Sequence, residues 1–399
     1  MHSFLLVVHI YHIRGKLMKV SMLAKSAAVA LVFGLVASTP AHAVDLQGSG
    51  ASWPALMIEA CKAPFAASGS GHTFVYASSS SGTGQSNSDK SIGEFWMSDG
   101  AYTASTKRAS LIHVPLVAGP IAILHNLPSR KTLSLSASTI AGIFAGTITR
   151  WDDPAIVADN NITYDKITYK TKGGVIVKDA NGKQVVLRTT PVTTSYNLPS
   201  KPIKVIYRND SSGTVENFTN YLNKSAPSVW TKAKNKVFTS TFPGNINAPE
   251  NLGRIVGAAS STGVTQLAGK TPYSITFAET NYATANKLKI ANLINPAKNS
   301  VAPDAIGTSA FLASATQDVN GFLTYDYATK EKGAYPLGIV SYLLADTAYP
   351  DKTKAAAVKA YANFILSPAC ALDKGAALGY SVISGDLLKK SQAQVAKIG

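Results

Sequence analysis

"KPIKVIYRNDSSGTVENFTNYLNK", residues 201–224, joins a strand pattern to a helix pattern through a short loop rich in hydroxyl groups. The apolar alternation at 203–208 predicts a strand that ends in Arg208, and a helix is predicted from about Thr214. Free N–H groups at a helix start, hydroxyl donors and a glycine together favour a bound anion. Arg208 adds a planar fork that can hold an oxyanion through two parallel hydrogen bonds. The alternative interpretation is an ordinary serine-capped helix beside a surface Arg–Asp pair.

The order of strand followed by helix recurs along the chain. Apolar runs at 72–78 and 119–127 predict strands, while 136–146 and 351–368 carry the spacing of amphipathic helices. Such interleaving predicts α/β layers. Two β-branched runs around Asn181 and Gly182 predict a hairpin near residues 175–188, inserted just before the strand at 203–208.

Residues 18–43 have the three parts of a secretory signal peptide. Lys19 and Lys25 give a basic start, residues 27–36 form a short apolar run, and the segment ends in an A-x-A pattern at Ala43. We expect cleavage after Ala43, and we interpret residues 1–17 as a misassigned start. Because the apolar run is too short for a membrane anchor, we predict a periplasmic or otherwise exported protein.

Charge and cysteine content narrow the classes of partner. The 399 residues carry a formal net charge of +16, which favours anionic partners. The lysines are scattered rather than set in a basic stripe, so nucleic acid is not expected. In an exported protein, Cys61 and Cys370 are either a disulfide or two buried free thiols, and the sequence leaves both open.

Three further loops resemble the first in composition. They are "GSGASWP" (48–54), "YASSSSGTGQ" (76–85) and "WMSDG" (96–100), and each follows a predicted strand. Taken singly, each is typical of an ordinary Gly/Ser turn. Taken together, they place donors and the Asp99 carboxylate after successive strands, which is where α/β folds gather ligands.

These loops occur in the order and approximate spacing found in the periplasmic phosphate-binding proteins of ABC transporters. The matching family segments are G-A-G-A-T-F-P, a Ser-Gly turn, G-A-S-D and R-x-D-x-S-G-T, and further similarity lies in 135–156, 273–297 and 335–344. The sequence therefore resembles that family over nearly its whole mature length. It departs from the family at Ser52 and Trp53, in the hairpin around Asn181, and in a serine-heavy second loop that leaves Ser80 and Ser81 as competing ligands.

The resemblance implies a set of residues for binding phosphate, here called the anion site. They are Ser52, Trp53 through its backbone N–H, Ser81, Asp99, Arg208, Asp210, Ser212, Gly213 and Thr214. The resemblance implies that Asp99 accepts a hydrogen bond from the protonated oxygen of phosphate and that Asp210 holds the Arg208 fork. The second ionisation of a phosphate group lies near pH ~6, so phosphate keeps one proton near neutral pH, whereas sulfate keeps none.

The resemblance also implies a two-lobed α/β protein of the type II periplasmic class, with the anion held in the cleft between the lobes. We expect one lobe from residues 44–122 plus 300–399 and the other from 123–299, with a hinge closing on the ligand and an ABC permease as partner. Cys61 and Cys370 would then share a lobe, so that an intralobe disulfide is feasible. A monomer is expected, no cofactor or metal is implied, and arsenate fits the same description as phosphate.

Two other functions compete with this interpretation. A phosphatase could use the same anion site, but His72, His113 and His125 lack metal-ligand spacing, and we expect each to be a structural or surface histidine. An exported surface or adhesion protein could retain the fold. The stretch 263–271 imitates a P-loop, but its glycines are one residue too far apart and Pro272 interrupts the helix that should follow. We therefore expect a binding protein rather than an enzyme.

Overall fold

The computed structural model describes residues 43–399 apart from residues 104 and 106. The predicted signal peptide lies outside the described residues except for Ala43. The strands, numbered in chain order, are β1 (Asp45–Ala51), β2 (Thr73–Ser79), β3 (Phe95–Ser98), β4 (Leu111–Pro120), β5 (Ala122–His125), β6 (Ser134–Ser136), β7 (Thr163–Tyr169), β8 (Thr171–Lys172), β9 (Val175–Ile176), β10 (Val186–Thr193), β11 (Lys204–Arg208), β12 (Ile255–Ala258), β13 (Ser274–Ala278), β14 (Lys289–Ile294), β15 (Ser300–Val301), β16 (Thr316–Gln317), β17 (Leu323–Thr324) and β18 (Gly338–Asp346).

The described α-helices are also numbered in chain order. They are α1 (Ala55–Ala66), α2 (Ser81–Asp89), α3 (Ala137–Ala145), α4 (Pro154–Asp159), α5 (Gly213–Ser225), α6 (Phe238–Thr241), α7 (Ser260–Lys270), α8 (Asn281–Ala285), α9 (Ala305–Leu312), α10 (Lys352–Leu366), α11 (Pro368–Cys370) and α12 (Gly385–Ala396). The carboxylate of Asp351 accepts from the Thr353 amide at 2.8 Å, which starts α10, and Pro368 follows its end. This confirms the helix predicted at 351–368.

Five of the described strands form a first sheet in the order β2-β1-β3-β18-β4. Strands β1, β2 and β3 run parallel, so their carboxyl ends lie at one edge of the sheet. Helices α1 and α10 cover it with aromatic side chains: the Tyr361 ring lies 4.3 Å from Phe95 and 4.9 Å from Phe74, centroid to centroid. Burial of these rings provides most of the local driving force, because large aromatic side chains remove the most apolar surface from water.

A second sheet has the order β12-β11-β13-β5-β14-β15, with β6 paired to β14. Strands β12, β11 and β13 are parallel. Both sheets therefore contain a parallel triplet in which the middle strand comes first in the chain: β2-β1-β3 and β12-β11-β13. Their carboxyl-end loops carry the polar residues described below.

The run at 119–127 was predicted as one strand, and the structure divides it. Strand β4 belongs to the first sheet and ends at Pro120, whereas β5 begins at Ala122 in the second sheet. Between them, the Ile121 amide donates to the Leu337 carbonyl at 2.9 Å rather than to a sheet neighbour. Proline has no N–H to extend a ladder, which accounts for the break at this position.

An antiparallel ribbon of β7 and β10 stands beside the second sheet. At its distal end Lys178 pairs with Gln184, and Gly182 takes a φ of +77° in the turn. The Asp179 carboxylate accepts from the amides of Asn181 and Lys183, each at 2.9 Å. Glycine tolerates this left-handed conformation without a Cβ penalty, so the Asn-Gly pair fits the turn chemically.

Cys61 and Cys370 are disulfide-bonded in the structure, with their Cα atoms 5.4 Å apart. Cys61 lies in α1 and Cys370 ends α11, and both side chains are fully buried. Within the described residues, no single helix has the length and apolar character needed to cross a membrane. Helix α10 and the segment Pro368–Leu378 reach these criteria only jointly, across a bend of 58°.

Candidate functional site

Every strand of the two parallel triplets is followed by a buried polar side chain. In the first sheet Ser52 follows β1, Ser81 follows β2 and Asp99 follows β3. In the second sheet the corresponding residues are Arg208, which ends β11, Ser261 after β12 and Glu279 after β13. Because carboxyl ends of parallel strands meet at one edge, each sheet presents three of these groups together.

Buried Arg208 forms an ion pair with the half-buried Asp210. Arg208 is 1% exposed, and its Nε donates to Asp210 Oδ1 at 2.6 Å while Nη2 donates to Oδ2. The Ser260 amide also donates to Asp210 Oδ1, at 3.1 Å. Burial by itself would raise the pKa of Asp210, but hydrogen bonds and charge from Arg208, with the Ser260 amide, hold it below its usual value. Asp210 therefore stays ionised and fixes the plane of the guanidinium group.

Asp99 is buried among donors from both sheets. Its Oδ1 accepts from the Ser341 hydroxyl at 2.8 Å, and its Oδ2 accepts from the Thr214 hydroxyl at 2.9 Å. Burial raises the pKa of Asp99 to about 6, although these two hydroxyls and the charge of Arg208 act in the opposite direction. Near neutral pH the carboxyl is mostly ionised, and each oxygen retains a second lone pair for a further donor.

The start of α5 approaches the first sheet very closely. A Cβ placed on Gly213 would lie 2.6 Å from the Gly100 nitrogen and 2.7 Å from Ser81 Oγ, so only glycine fits there. Ser81 Oγ accepts from the Asp99 amide at 3.1 Å, and Ser212 Oγ caps α5 by accepting from the Val215 amide at 3.3 Å. The loops after β2 and β3 therefore contact the loop after β11 directly.

Two serines join the loop after β1 to the loop after β12. Ser52 Oγ lies 3.2 Å from Ser261 Oγ, and the Ser261 amide lies 3.4 Å from Ser52 Oγ. Arg208 Nη1 donates to Ser261 Oγ at 3.3 Å. A continuous chain of polar contacts thus runs from Asp210 through Arg208 and Ser261 to Ser52.

Most of the anion-site residues lie in this network. Trp53 is fully buried and follows Ser52, but its ring points into the core, where it packs edge-on against Tyr380 and donates to the Pro120 carbonyl at 3.3 Å. Ser80 caps α2 by accepting from the Thr83 amide at 3.1 Å, whereas the neighbouring Ser81 reaches the Asp99 loop. Of these competing serines, Ser81 is the one that contacts other anion-site residues.

Two local predictions differ from the structure. The stretch 48–54 was expected to be a loop, yet β1 continues to Ala51 and only Ser52 onward leaves the strand. The turn expected at 81–84 is the first turn of α2, because Ser80 supplies an N-cap that the serine-rich sequence conceals. Both differences leave the polar groups at the strand ends, since a helix start presents free N–H groups as a turn does.

Ser261, Ser341 and Glu279 were not predicted as site residues. Ser341 interrupts the apolar strand β18, where a lone buried hydroxyl is a weak signal. Of these three residues, Glu279 has the clearest signal in the sequence. An acid directly after the apolar run "SITFA" repeats the pattern of Asp99 after "FWMS". Glu279 is 2% exposed.

The histidines serve structural roles in the described part of the chain. His113 Nε2 accepts from the Tyr102 amide at 3.0 Å, and His125 Nδ1 accepts from the Leu127 amide at 3.3 Å. Burial lowers the pKa of both histidines to about 3, so they remain neutral. No cluster of three or more His, Cys, Asp or Glu side chains suited to a metal occurs among the described residues.

Comparison with known proteins assigns the family. The model of the PBP superfamily domain matches residues 36–369. The chain belongs to the PBP superfamily. The phosphate-binding protein PstS 3 of Mycobacterium leprae is 30% identical over 304 residues, covering 73% of this chain and 70% of the relative. PstS 3 of Mycobacterium tuberculosis strain H37Rv is 29% identical over 306 residues with the same coverage.

This identity and coverage make the chain a member of the PstS family of phosphate-binding proteins, as the sequence resemblance implied. A solved phosphate-binding protein from Stenotrophomonas maltophilia superposes with a TM-score of 0.60 at 17% identity, covering 88% of this chain and 93% of the other. The prediction of a two-lobed α/β fold is thereby confirmed.

The pKa values of two buried acids predict how the stability of the protein without bound anion changes with pH. Burial raises the pKa of Asp99 from 3.8 to about 6 and that of Glu279 from 4.5 to about 8. Both acids bind a proton more tightly in the folded state, so their contribution to stability is complete below about pH 4 and is lost as pH rises through 6 and 8. We expect the melting temperature to fall from pH 6.5 to 9, and Glu279→Gln to flatten this fall. Identical slopes of melting temperature against pH in the wild type and the variant would contradict this prediction.

Proposed function

We propose that this chain binds inorganic phosphate between the strand-end loops of its two sheets and delivers it to an ABC permease. The observation that carries the proposal is Asp99, a buried acceptor set among anion-binding donors. An acid in an anion site is favourable only when the anion brings a proton of its own. The names of the PstS relatives support the same ligand.

Each group of the anion site has a chemical role in this proposal. Arg208 supplies positive charge and a directed N–H, held in place by Asp210. The hydroxyls of Ser52 and Ser81 and the free amides at the start of α5, including that of Thr214, donate to the remaining anion oxygens, while the Thr214 hydroxyl donates to Asp99. Asp99 accepts from the protonated oxygen through the lone pairs that Ser341 and Thr214 leave free.

Sulfate is rejected because it carries no proton at neutral pH. Its oxygen would then face Asp99 lone pair to lone pair, and a buried acceptor left without a donor costs roughly 1–3 kcal/mol, more when it is charged. Arsenate shares the shape and the proton of phosphate, so we propose that it competes for the site. Nothing in this arrangement calls for a nucleophile or a general base, and we propose binding without catalysis.

The two sheets correspond to the two lobes in this proposal. One lobe is residues 44–122 plus 300–399, which supply β1 to β4 and β18, and the other is 123–299, which supplies most of the second sheet. Strand β15 pairs with β14, so we place the return to the first lobe just after Val301. Closure then brings the loops of the first sheet onto the start of α5.

Export and a monomeric state complete the proposal. The Cys61–Cys370 bond suits an oxidising compartment outside the cytoplasm, in agreement with signal-peptide cleavage after Ala43. Mass spectrometry of the protein recovered from the periplasm should find Val44 as its first residue. Light scattering with and without phosphate should give one chain per particle.

Calorimetric titration of the phosphate-stripped protein tests the ligand. We expect phosphate to bind at a one-to-one ratio and sulfate to bind at least about a hundredfold more weakly, given the cost of facing Asp99 without a proton. Arsenate should displace phosphate. Absence of binding by every one of these anions would contradict the proposal and favour a surface protein that has retained only the fold.

A further inference from the structure

Glu279 occupies the same place in the second sheet that Asp99 occupies in the first. Asp99 follows β3, which lies beside β1, and Glu279 follows β13, which lies beside β11. The parallel register pairs Lys204 with Ser274 and Val205 with Ile275, so Glu279 lies level with the end of β11, next to Arg208. The anion site therefore has a second acid at the opposite strand end.

Burial of Glu279 is almost complete, yet its carboxyl makes no hydrogen bond to a described residue. It is 2% exposed, and both Oε1 and Oε2 lack a partner in that part of the chain. The Arg208 charge and the Ser261 hydroxyl on one side, Asp99 from the first sheet, and the phenols of Tyr282 and Tyr380 are the groups that face it. An ionised carboxylate is costly to bury without a partner, so these neighbours determine whether Glu279 carries a proton.

The serine chain beside Glu279 can be counted atom by atom. A serine hydroxyl donates one hydrogen bond and accepts two. Arg208 Nη1 occupies one lone pair of Ser261 Oγ, at 3.3 Å. The Ser261 amide reaches one lone pair of Ser52 Oγ at 3.4 Å, and the two hydroxyl oxygens are 3.2 Å apart, with either able to donate. The direction of this last bond is the one degree of freedom left in the chain.

We propose that the proton on Glu279 sets this direction and thereby decides whether Ser52 donates to the bound anion. When Glu279 is protonated, its carboxyl turns to donate to Ser261 Oγ, whose lone pairs are then both used. Ser261 must therefore donate to Ser52, and Ser52, with both lone pairs filled, turns its own O–H toward the anion. Glu279 is thus a positioning residue that acts through Ser261, and this inference rests on the proposed function.

Ionised Glu279 reverses the direction of the hydrogen bonds in the serine chain. The carboxylate accepts the Ser261 proton, the freed Ser261 lone pair accepts from Ser52, and Ser52 presents a lone pair to the anion. One donor is lost, and one acceptor faces negative charge. Burial raises the pKa of Glu279 to about 8, against the lowering influence of its own backbone, of the Arg208 charge and of Ser261. The reversed hydrogen bonds therefore form in alkaline solution, and phosphate binding weakens there.

Phosphate dissociation constants measured from pH 6 to pH 9.5 test this inference. The variant is Glu279→Gln, whose amide donates to Ser261 at every pH and cannot ionise. We expect the wild type to bind phosphate roughly tenfold more weakly than Glu279→Gln at pH 9.5, with the difference narrowing toward pH 6. The ionisation of phosphate itself affects both proteins equally and cancels in the ratio. Parallel curves for the two proteins would overturn the inference.

A second pair of proteins separates the serine chain from simple charge repulsion. In a Ser52→Ala background the chain has no terminal donor, so the advantage of Glu279→Gln at pH 9.5 should shrink to less than about threefold. An undiminished advantage would overturn the role of Ser261 and Ser52. Glu331→Gln, which alters a carboxylate bonded to Tyr169 outside the anion site, should follow the wild-type profile. If the wild type fails to bind phosphate at any pH, the proposed function fails, and that result is distinct from parallel curves.

Discussion

Asp99→Asn should lose most of the discrimination between phosphate and sulfate. The asparagine amide can donate to an unprotonated oxygen, and the negative charge that repels sulfate is gone. We expect phosphate affinity to fall by about tenfold or more as a charge-assisted hydrogen bond is lost, while sulfate binding becomes measurable. The ratio of the two dissociation constants should therefore narrow by about a hundredfold, as determined by calorimetry at pH 7.5.

Asp351→Asn is the matched control for this prediction. Asp351 is an exposed N-cap of α10, and asparagine caps a helix about as well as aspartate. Its anion preference should equal that of the wild type. If Asp99→Asn retained the wild-type ratio, another group would be responsible for rejecting sulfate.

Arg208→Met should weaken phosphate binding by at least about thirtyfold. Methionine keeps much of the volume but removes the charge, the fork and the partner of Asp210. Removing one member of a buried, hydrogen-bonded charge pair costs about 2–5 kcal/mol in binding, which corresponds to roughly 30-fold to several thousandfold. The melting temperature should fall as well, because Asp210 and its hydrogen bonds lose their counter-charge.

Arg150→Met gives the corresponding control at an exposed pair. Arg150 donates to Asp152 at 3.1 Å on the surface, where such pairs contribute about 0–1 kcal/mol. The Arg150→Met variant should bind phosphate as tightly as the wild type does. Asp210→Asn, which leaves Arg208 charged but less firmly held, should show a smaller loss of affinity than Arg208→Met. Undiminished binding by folded Arg208→Met would exclude Arg208 from the site.

The strand-end loops are predictable from the sequence because their signals are local. A strand pattern that runs into Arg208 and a capped helix is visible within twenty residues, and so is the acid that follows "FWMS". The partners of Asp99 have no such signal. Ser341 is separated from Asp99 by 242 residues, and the sheet order β3-β18 that brings them together depends on packing across the whole domain.

The same limit explains why Ser261 was missed. Residues 263–271 imitate a P-loop, while the hydroxyl that contacts Ser52 lies just before them. Its importance appears only once β12 is placed beside β11. The parallel triplets supply the rule that the sequence alone could not: each of their six strand ends carries a polar group, whether or not the local motif is recognisable.

The bond between Cys61 and Cys370 links positions 309 residues apart, near the two ends of the mature chain. Tension applied at the termini of the protein would pass through this covalent link and bypass residues 62–369, which include the whole second sheet but not β1 or Ser52. The second sheet can therefore keep its packing while the ends of the chain are pulled, tethered or crowded. In mechanical terms, the part of the anion site that carries Arg208 belongs to a closed loop without external load, whereas Ser52 lies on the loaded segment.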